Sequence, residues 1–235
     1  MTTIAHRPVA LTLSGLLTLG VVLTPSIARA ETARVNQSVD RQRLMSVADV
    51  PRVLGRFSPE SVSQPVDGII ELCQDANSKL VSIPAPMRLT TVSINSVSGA
   101  RLYRSVTEDV YQYPNEQDAA SAFTSLIQSA SACSGTTTRR RDEGGYTEQV
   151  SLATGSVNGA PAGAIWTQQQ MRYLQAPATS PLRGHQEILY RVFTQAGNAI
   201  IVTRYFINGA SSLRAGQASA VQRLALSNAA RWTTS

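Results

Sequence analysis

The stretch Asn115–Cys133, NEQDAASAFTSLIQSASAC, constrains the fold of this chain more than any other. Asn115 follows Pro114 and suits an N-cap, and Asp118 suits the positive end of a helix dipole. Ala119, Phe123, Leu126, Ile127, Ala130 and Cys133 recur at three- and four-residue steps, so the helix has one apolar face that must be buried. That stripe ends on one of only two cysteines in the sequence. Pairing with Cys73 would staple the helix to the segment ahead of the first long strands; the alternative is two buried free thiols.

The first thirty residues favour the bridge. Arg7 supplies a basic start, Leu11–Leu23 is apolar, Pro25 breaks the run, and Ala28-Arg29-Ala30 is a small-x-small cleavage site before Glu31. The pattern predicts a signal peptide over 1–30. The run falls short of the roughly 20 apolar residues that span a bilayer, so the remainder is expected to be secreted and not membrane-spanning. An oxidising compartment suits a disulfide, and closing a loop of about 60 residues is worth about 4 kcal/mol in the chain-entropy model. The formal charge of +6 loses Arg7 and Arg29 on cleavage, which leaves +4. That mild balance permits attraction to anionic envelope polymers or lipids but lacks the clustered basic face of a nucleic-acid binder.

Residues 31–45 are polar and aperiodic and read as a flexible lead. Residues 46–235 then read as one domain. Asp49, Pro51 and Gly55 punctuate a short helix over Ser46–Gly55, with Val50, Val53 and Leu54 on its apolar side. Pro59–Gln64 reads as loop and Ile69–Cys73 as a short apolar piece, and Pro84 and Pro86 exclude regular helix around them. Thr91–Val97 and Arg101–Tyr113 read as strands about a Ser98-Gly99 turn. Ser134–Gly145, with Arg139, Arg140 and Arg141 followed at once by Asp142 and Glu143, reads as a solvated loop or hairpin tip. Further strands are predicted over Thr147–Thr154, Gly163–Tyr173, His185–Gln195 and Ala199–Ile207, the last two forming a hairpin at Ala196-Gly197-Asn198. A second long helix runs from about Ala210 to Arg231, with Leu213, Val221, Leu224, Ala225 and Trp232 on one side. The expected fold is α+β: a mostly antiparallel sheet of five to six strands with two long helices packed on one face.

The strands of the final hairpin are apolar on both faces. Ile188, Tyr190 and Val192 alternate with Leu189, Arg191 and Phe193, and Ile200, Val202, Arg204 and Phe206 alternate with Ile201, Thr203 and Tyr205. The second face is therefore expected to be covered too, by a loop, a partner or a groove. Aromatic residues with interspersed arginines suit an amphipathic or anionic ligand, and Trp166, Tyr190, Arg191, Arg204 and Tyr205 are the candidate lining. Ordinary core with snorkelling arginines is the competing reading.

Catalytic signatures are missing. The sequence has no G-x-S-x-G, S-x-x-K, H-E-x-x-H or phosphate-cradling glycine loop. Past the leader the one histidine is His185; with Glu187 it makes a weak metal pair, and no metal or cofactor is expected. A hydrolase of wall or lipid esters using His185 is the enzymatic alternative, and a surface protein–protein interaction module is the third.

The segment VTEDVYQYPNEQDAASAFTSLIQSASAC resembles the strand-then-helix unit of the PknH-like extracellular sensor domains of mycobacteria and their relatives. GNAIIVTRYF followed by an Ala-rich helix from Ala210, and the short Val47–Gly55 segment, are similar to that family's closing and opening elements. The resemblance spans Ser46–Trp232 and implies an antiparallel sheet flanked by helices, with a cleft for a ligand. Members often carry four cysteines, of which only the pair at Cys73 and Cys133 is present here. Together these readings predict an exported, non-catalytic, sensor-like binding domain for an amphipathic or anionic cell-envelope molecule.

Overall fold

The computed structural model of the protein describes residues 41–63, 69–74, 80–83, 88–97, 102–141, 146–160, 163–175 and 184–233. The predicted signal peptide, the lead up to residue 40, Pro84, Pro86, the Ser98-Gly99 turn and Asp142-Glu143 lie outside the described residues.

Ten strands and two α-helices are described: β1 (Ser61–Ser63), β2 (Ile70–Gln74), β3 (Leu80–Ile83), β4 (Arg88–Asn95), β5 (Arg104–Gln112), α1 (Glu116–Ala130), β6 (Gly135–Arg141), β7 (Tyr146–Ser156), β8 (Ile165–Gln175), β9 (Gln186–Ala196), β10 (Ala199–Asn208) and α2 (Gln217–Thr233). Eight strands form one antiparallel sheet in the order β1-β4-β5-β10-β9-β8-β7-β6, and β2-β3 is a separate hairpin. The fold is α+β, as expected, but the main sheet is larger than the predicted five to six strands. The additions are edge strands. An edge strand is held by backbone pairing along one side and needs no apolar run, so β1 is exposed throughout and β6, read as a loop, is dominated by Thr and Arg. β6 pairs with β7 from Gly135↔Leu152 to Arg141↔Tyr146, and Arg139 forms an ion pair with its partner Glu148.

The two helices do not share a face. Ala119, Phe123, Leu126 and Ala130 of α1 pack with the β2-β3 hairpin onto Leu89, Tyr111, Val150, Ile165, Phe193, Ile200 and Val202. The opposite side buries Ala220, Val221, Leu224, Ala225, Ala229 and Trp232 of α2 against Val92, Ile94, Val106, Val110, Tyr190, Val192, Ile201 and Tyr205. The expectation of both helices on one face is corrected: α1 and α2 cover opposite sides. This is why β9 and β10 are apolar on both faces. Among the described residues no helix is long and apolar enough to cross a membrane.

Local chemistry explains the boundaries. Asn115 caps α1 by accepting from Asp118 N–H at 2.8 Å. The predicted Ile127 contact is absent, since that side chain is 40% exposed on the edge of the stripe. Cys73 on β2 and Cys133 just beyond α1 are disulfide-bonded, with Cα atoms 5.9 Å apart, and both are fully buried. The sequence reading of Ser46–Gly55 as one helix is corrected to two 3-10 turns, Val47–Asp49 and Arg52–Leu54. Pro51 pushes Val50 out of the helical region, to φ −76°, ψ 119°, and divides them. α2 begins at Gln217 rather than Ala210, directly after Gly216 at φ +80°. Packing also starts earlier than the flexible lead allowed, because Leu44 and Met45 are buried.

Candidate functional site

The five candidate lining residues fall on two opposite surfaces, because side chains alternate along a strand. Trp166, Tyr190 and Tyr205 point toward α2. The Trp166 and Tyr190 rings stack at 5.6 Å with 24° between planes, and Tyr190 Oη accepts from Gln222 of α2 at 2.6 Å. Tyr205 is fully buried; its hydroxyl donates to Leu54 O at 2.7 Å and accepts from Gln217 Nε2 at 3.0 Å. Burial pushes the Tyr205 phenol up to about 12, so it stays a neutral donor. These aromatics brace α2 and the 52–54 turn against the sheet.

Arg191 and Arg204 lie on the α1 side, directly opposite one another across β9 and β10. Two like charges at that spacing need carboxylates, and both have one. Arg204 Nη2 meets Asp109 Oδ2 at 2.5 Å, and Thr91 Oγ1 donates to Asp109 Oδ1 at 2.8 Å. Arg191 Nη2 donates to Glu71 Oε1 on β2 at 3.1 Å. Burial lowers Arg191 to about 10 while Glu71 opposes the shift, and burial raises Asp109 while Arg204 opposes it. The four charges cancel in pairs and tie the hairpin to the sheet. Arg191 Nη1 and Arg204 Nε are buried without partners among the described residues.

A larger opening lies elsewhere. Val47, Ala48, Val50, Arg52, Gly55, Arg56, Phe57 and Val97 line a groove of about 930 Å³. Its walls are built by the two 3-10 turns and by the bridge between Phe57 and Ser96, which also brings Val97 N–H to Arg56 O at 3.3 Å. Leu54 anchors the second turn in the core at 0% exposure, which turns Arg52 and Val53 outward. Gly55 adopts φ +145°, a conformation that favours glycine, and the Arg104 side chain lies beside it. Val53 and Val97 remain 50% and 38% exposed. Arg52 and Arg56 are exposed, and among the described residues no carboxylate pairs with either. Reading Ser46–Gly55 as a helix with a buried face hid this groove. The available signal was the pair of arginines flanking Gly55 beside an apolar run.

The strap over residues 41–50 is pinned from below. Arg231 of α2 grips Asp49 through two bonds, at 2.6 and 3.1 Å, and donates to Leu44 O at 3.2 Å. Asp49 in turn accepts from Ser46 N–H at 2.8 Å and from Ser46 Oγ at 3.0 Å. Its carboxyl lies below the usual carboxylate range: burial raises it, and the bonds from Arg231 and Ser46 together outweigh that. Met45 N–H donates to Glu108 Oε2 at 2.7 Å.

His185, the candidate base, faces Glu187 at 3.4 Å and shares a small recess with Ser211. Among the described residues no hydrogen bond joins His185 to a serine hydroxyl, and no cluster of three or more His, Cys, Asp or Glu could hold a metal.

No family model matches the chain, and no curated protein matches it. Among solved structures, the crystal structure of the extracellular domain of PknH from Mycobacterium tuberculosis is similar, with a TM-score of 0.48 and 13% identity, over 81% of this chain and 94% of that one. A likeness of that degree establishes neither the fold nor the function of this chain.

Proposed function

We propose that the protein is an exported, non-catalytic ligand-binding domain whose groove takes an amphipathic anion of the cell envelope. The apolar chain lies along Val47, Val50, Phe57 and Val97, and the head group meets Arg52 and Arg56. The observation that carries this reading is a groove of about 930 Å³ with an apolar wall and two exposed guanidinium groups lacking carboxylate partners among the described residues. The Cys73–Cys133 disulfide supports an oxidising compartment, and with it cleavage of residues 1–30 on export. Tyr205 serves beneath the groove as a positioning residue, through its bond to Leu54 O. Arg191 and Arg204 hold the opposite side of the sheet.

The test is calorimetric titration with octyl sulfate, an anionic amphiphile, and octyl glucoside, its neutral counterpart. Octyl sulfate is expected to bind the more tightly, and the double variant Arg52→Glu/Arg56→Glu to weaken it roughly tenfold. Equal affinity for the two amphiphiles, or an undiminished response in the double variant, overturns the assignment.

A further inference from the structure

Glu108 sits on β5 in phase with Val106 and Val110, under α2, and is 0% exposed. Its Oε2 accepts one hydrogen bond, from Met45 N–H. Its Oε1 is buried without a partner among the described residues, and so is Oγ1 of Thr203, its directly opposed neighbour on β10. An ionised carboxylate needs several donors to be stable away from water. The charged groups around it supply little. Arg231 on α2 attracts it, but that guanidinium is already engaged by Asp49 and Leu44 O. Asp49 on the strap and Asp109, the next residue of β5, both repel it. Burial therefore pushes the Glu108 carboxyl up to about 7.

We propose that Glu108 is a proton-operated latch on residues 44–50: neutral, it holds that strap closed on the sheet; ionised, it drives the strap open. Water reaches the carboxylate most cheaply by lifting Leu44 and Met45, whose segment is held by short 3-10 turns and by the Arg231 side chain rather than by a strand ladder. Val47, Ala48 and Val50 line the groove from the same strap, so opening also removes a wall of the groove. This last consequence rests on the ligand-binding reading above; the latch itself does not.

The direction follows from the two states. The closed state holds the proton more tightly than the open one, where the carboxyl is hydrated and ordinary, so opening grows as pH rises from about 4.5 through about 7. Between about pH 5.5 and pH 8.0 the open fraction is expected to rise about 25-fold.

Amide hydrogen exchange on the full chain tests the latch. After correction for intrinsic rates, amides of residues 44–50 should exchange faster than those of β10. They should be insensitive to about 1 M urea, because local opening exposes little surface, and should accelerate about 25-fold over that pH range. Glu108→Gln should abolish the pH response, and Glu108→Leu supplies the same test should the amide variant not fold. A strap whose exchange follows urea as β10 does, a flat pH profile in the parent, or an unchanged profile in either variant overturns the proposal. Octyl sulfate, whose charge is constant over this range, should slow exchange of residues 44–50 at both pH values, because it binds only the closed strap. Should it bind at neither pH while the exchange results hold, the groove reading fails and the latch stands.

Discussion

The indole of Trp166 lies against the backbone of Gly155, its directly opposed partner across β7 and β8: a Cβ at position 155 would sit 2.8 Å from the ring. The same indole stacks on Tyr190, so the ring touches both a glycine and a phenol.

Gly155→Ala should therefore displace Trp166 from Tyr190 and destabilise the protein by about 1–3 kcal/mol, the usual cost of overpacking. Urea unfolding followed by tryptophan fluorescence measures both effects. An unshifted emission with unchanged stability would mean the ring does not rest on residue 155.

Arg191 and Glu71 predict an asymmetry. The Arg191 side chain is 4% exposed and that of Glu71 is 43% exposed, so their desolvation costs differ. Removing the carboxylate strands a buried cation and should cost about 2–3 kcal/mol in Glu71→Ala, a value reduced for the partial exposure of Glu71. Arg191→Met removes the buried charge and leaves a carboxylate that water can reach, so its stability should stay within about 1 kcal/mol of the parent. Paired denaturation curves decide it, and the reverse order of costs would refute this account of the network.

Global stability should also depend on pH through Glu108. Its folded-state value of about 7 lies above the ordinary 4.5, so the unfolded chain releases this proton first as pH rises. The contribution is fully present below about pH 4.5 and is lost as pH rises through about 7, amounting to about 3 kcal/mol. Asp109, also raised by burial, acts in the same direction, whereas Asp49, lowered overall, contributes stability that is lost as pH falls into the acid range. Thermal unfolding between about pH 5 and pH 8 should show a falling midpoint in the parent and a flatter one in Glu108→Gln. A midpoint that rises over that interval would contradict the burial of this carboxyl.

Much of the architecture was legible because it is written in short-range patterns. Asn115, Asp118 and the stripe from Ala119 to Ala130 specify α1 through capping and periodicity, and Gly197, at φ +53°, suits the tight turn between β9 and β10. The alternation in β9 and β10 correctly required two covered faces. Glu108 was also within reach: it falls on the same parity as Val106 and Val110, which marks a carboxylate on a core face. By contrast, β1 and β6 carry no apolar signal, since edge strands are held by backbone pairing that a polar sequence permits as readily as a loop does.

By itself the amino-acid sequence determined the six long strands at the centre of the sheet and the two amphipathic helices, and it supplied the two sulfurs that tie α1 to β2. It could not say which side of the sheet each helix covers, because an apolar stripe fits either face and the choice is made by the path of the chain across the sheet. That path separated Trp166, Tyr190 and Tyr205 from Arg191 and Arg204, paired those arginines with Glu71 and Asp109, and left Arg52 and Arg56 facing outward. Tertiary structure alone placed Met45 over Glu108, since a hydrogen bond between residues 63 positions apart exists only after the strap has packed onto the sheet.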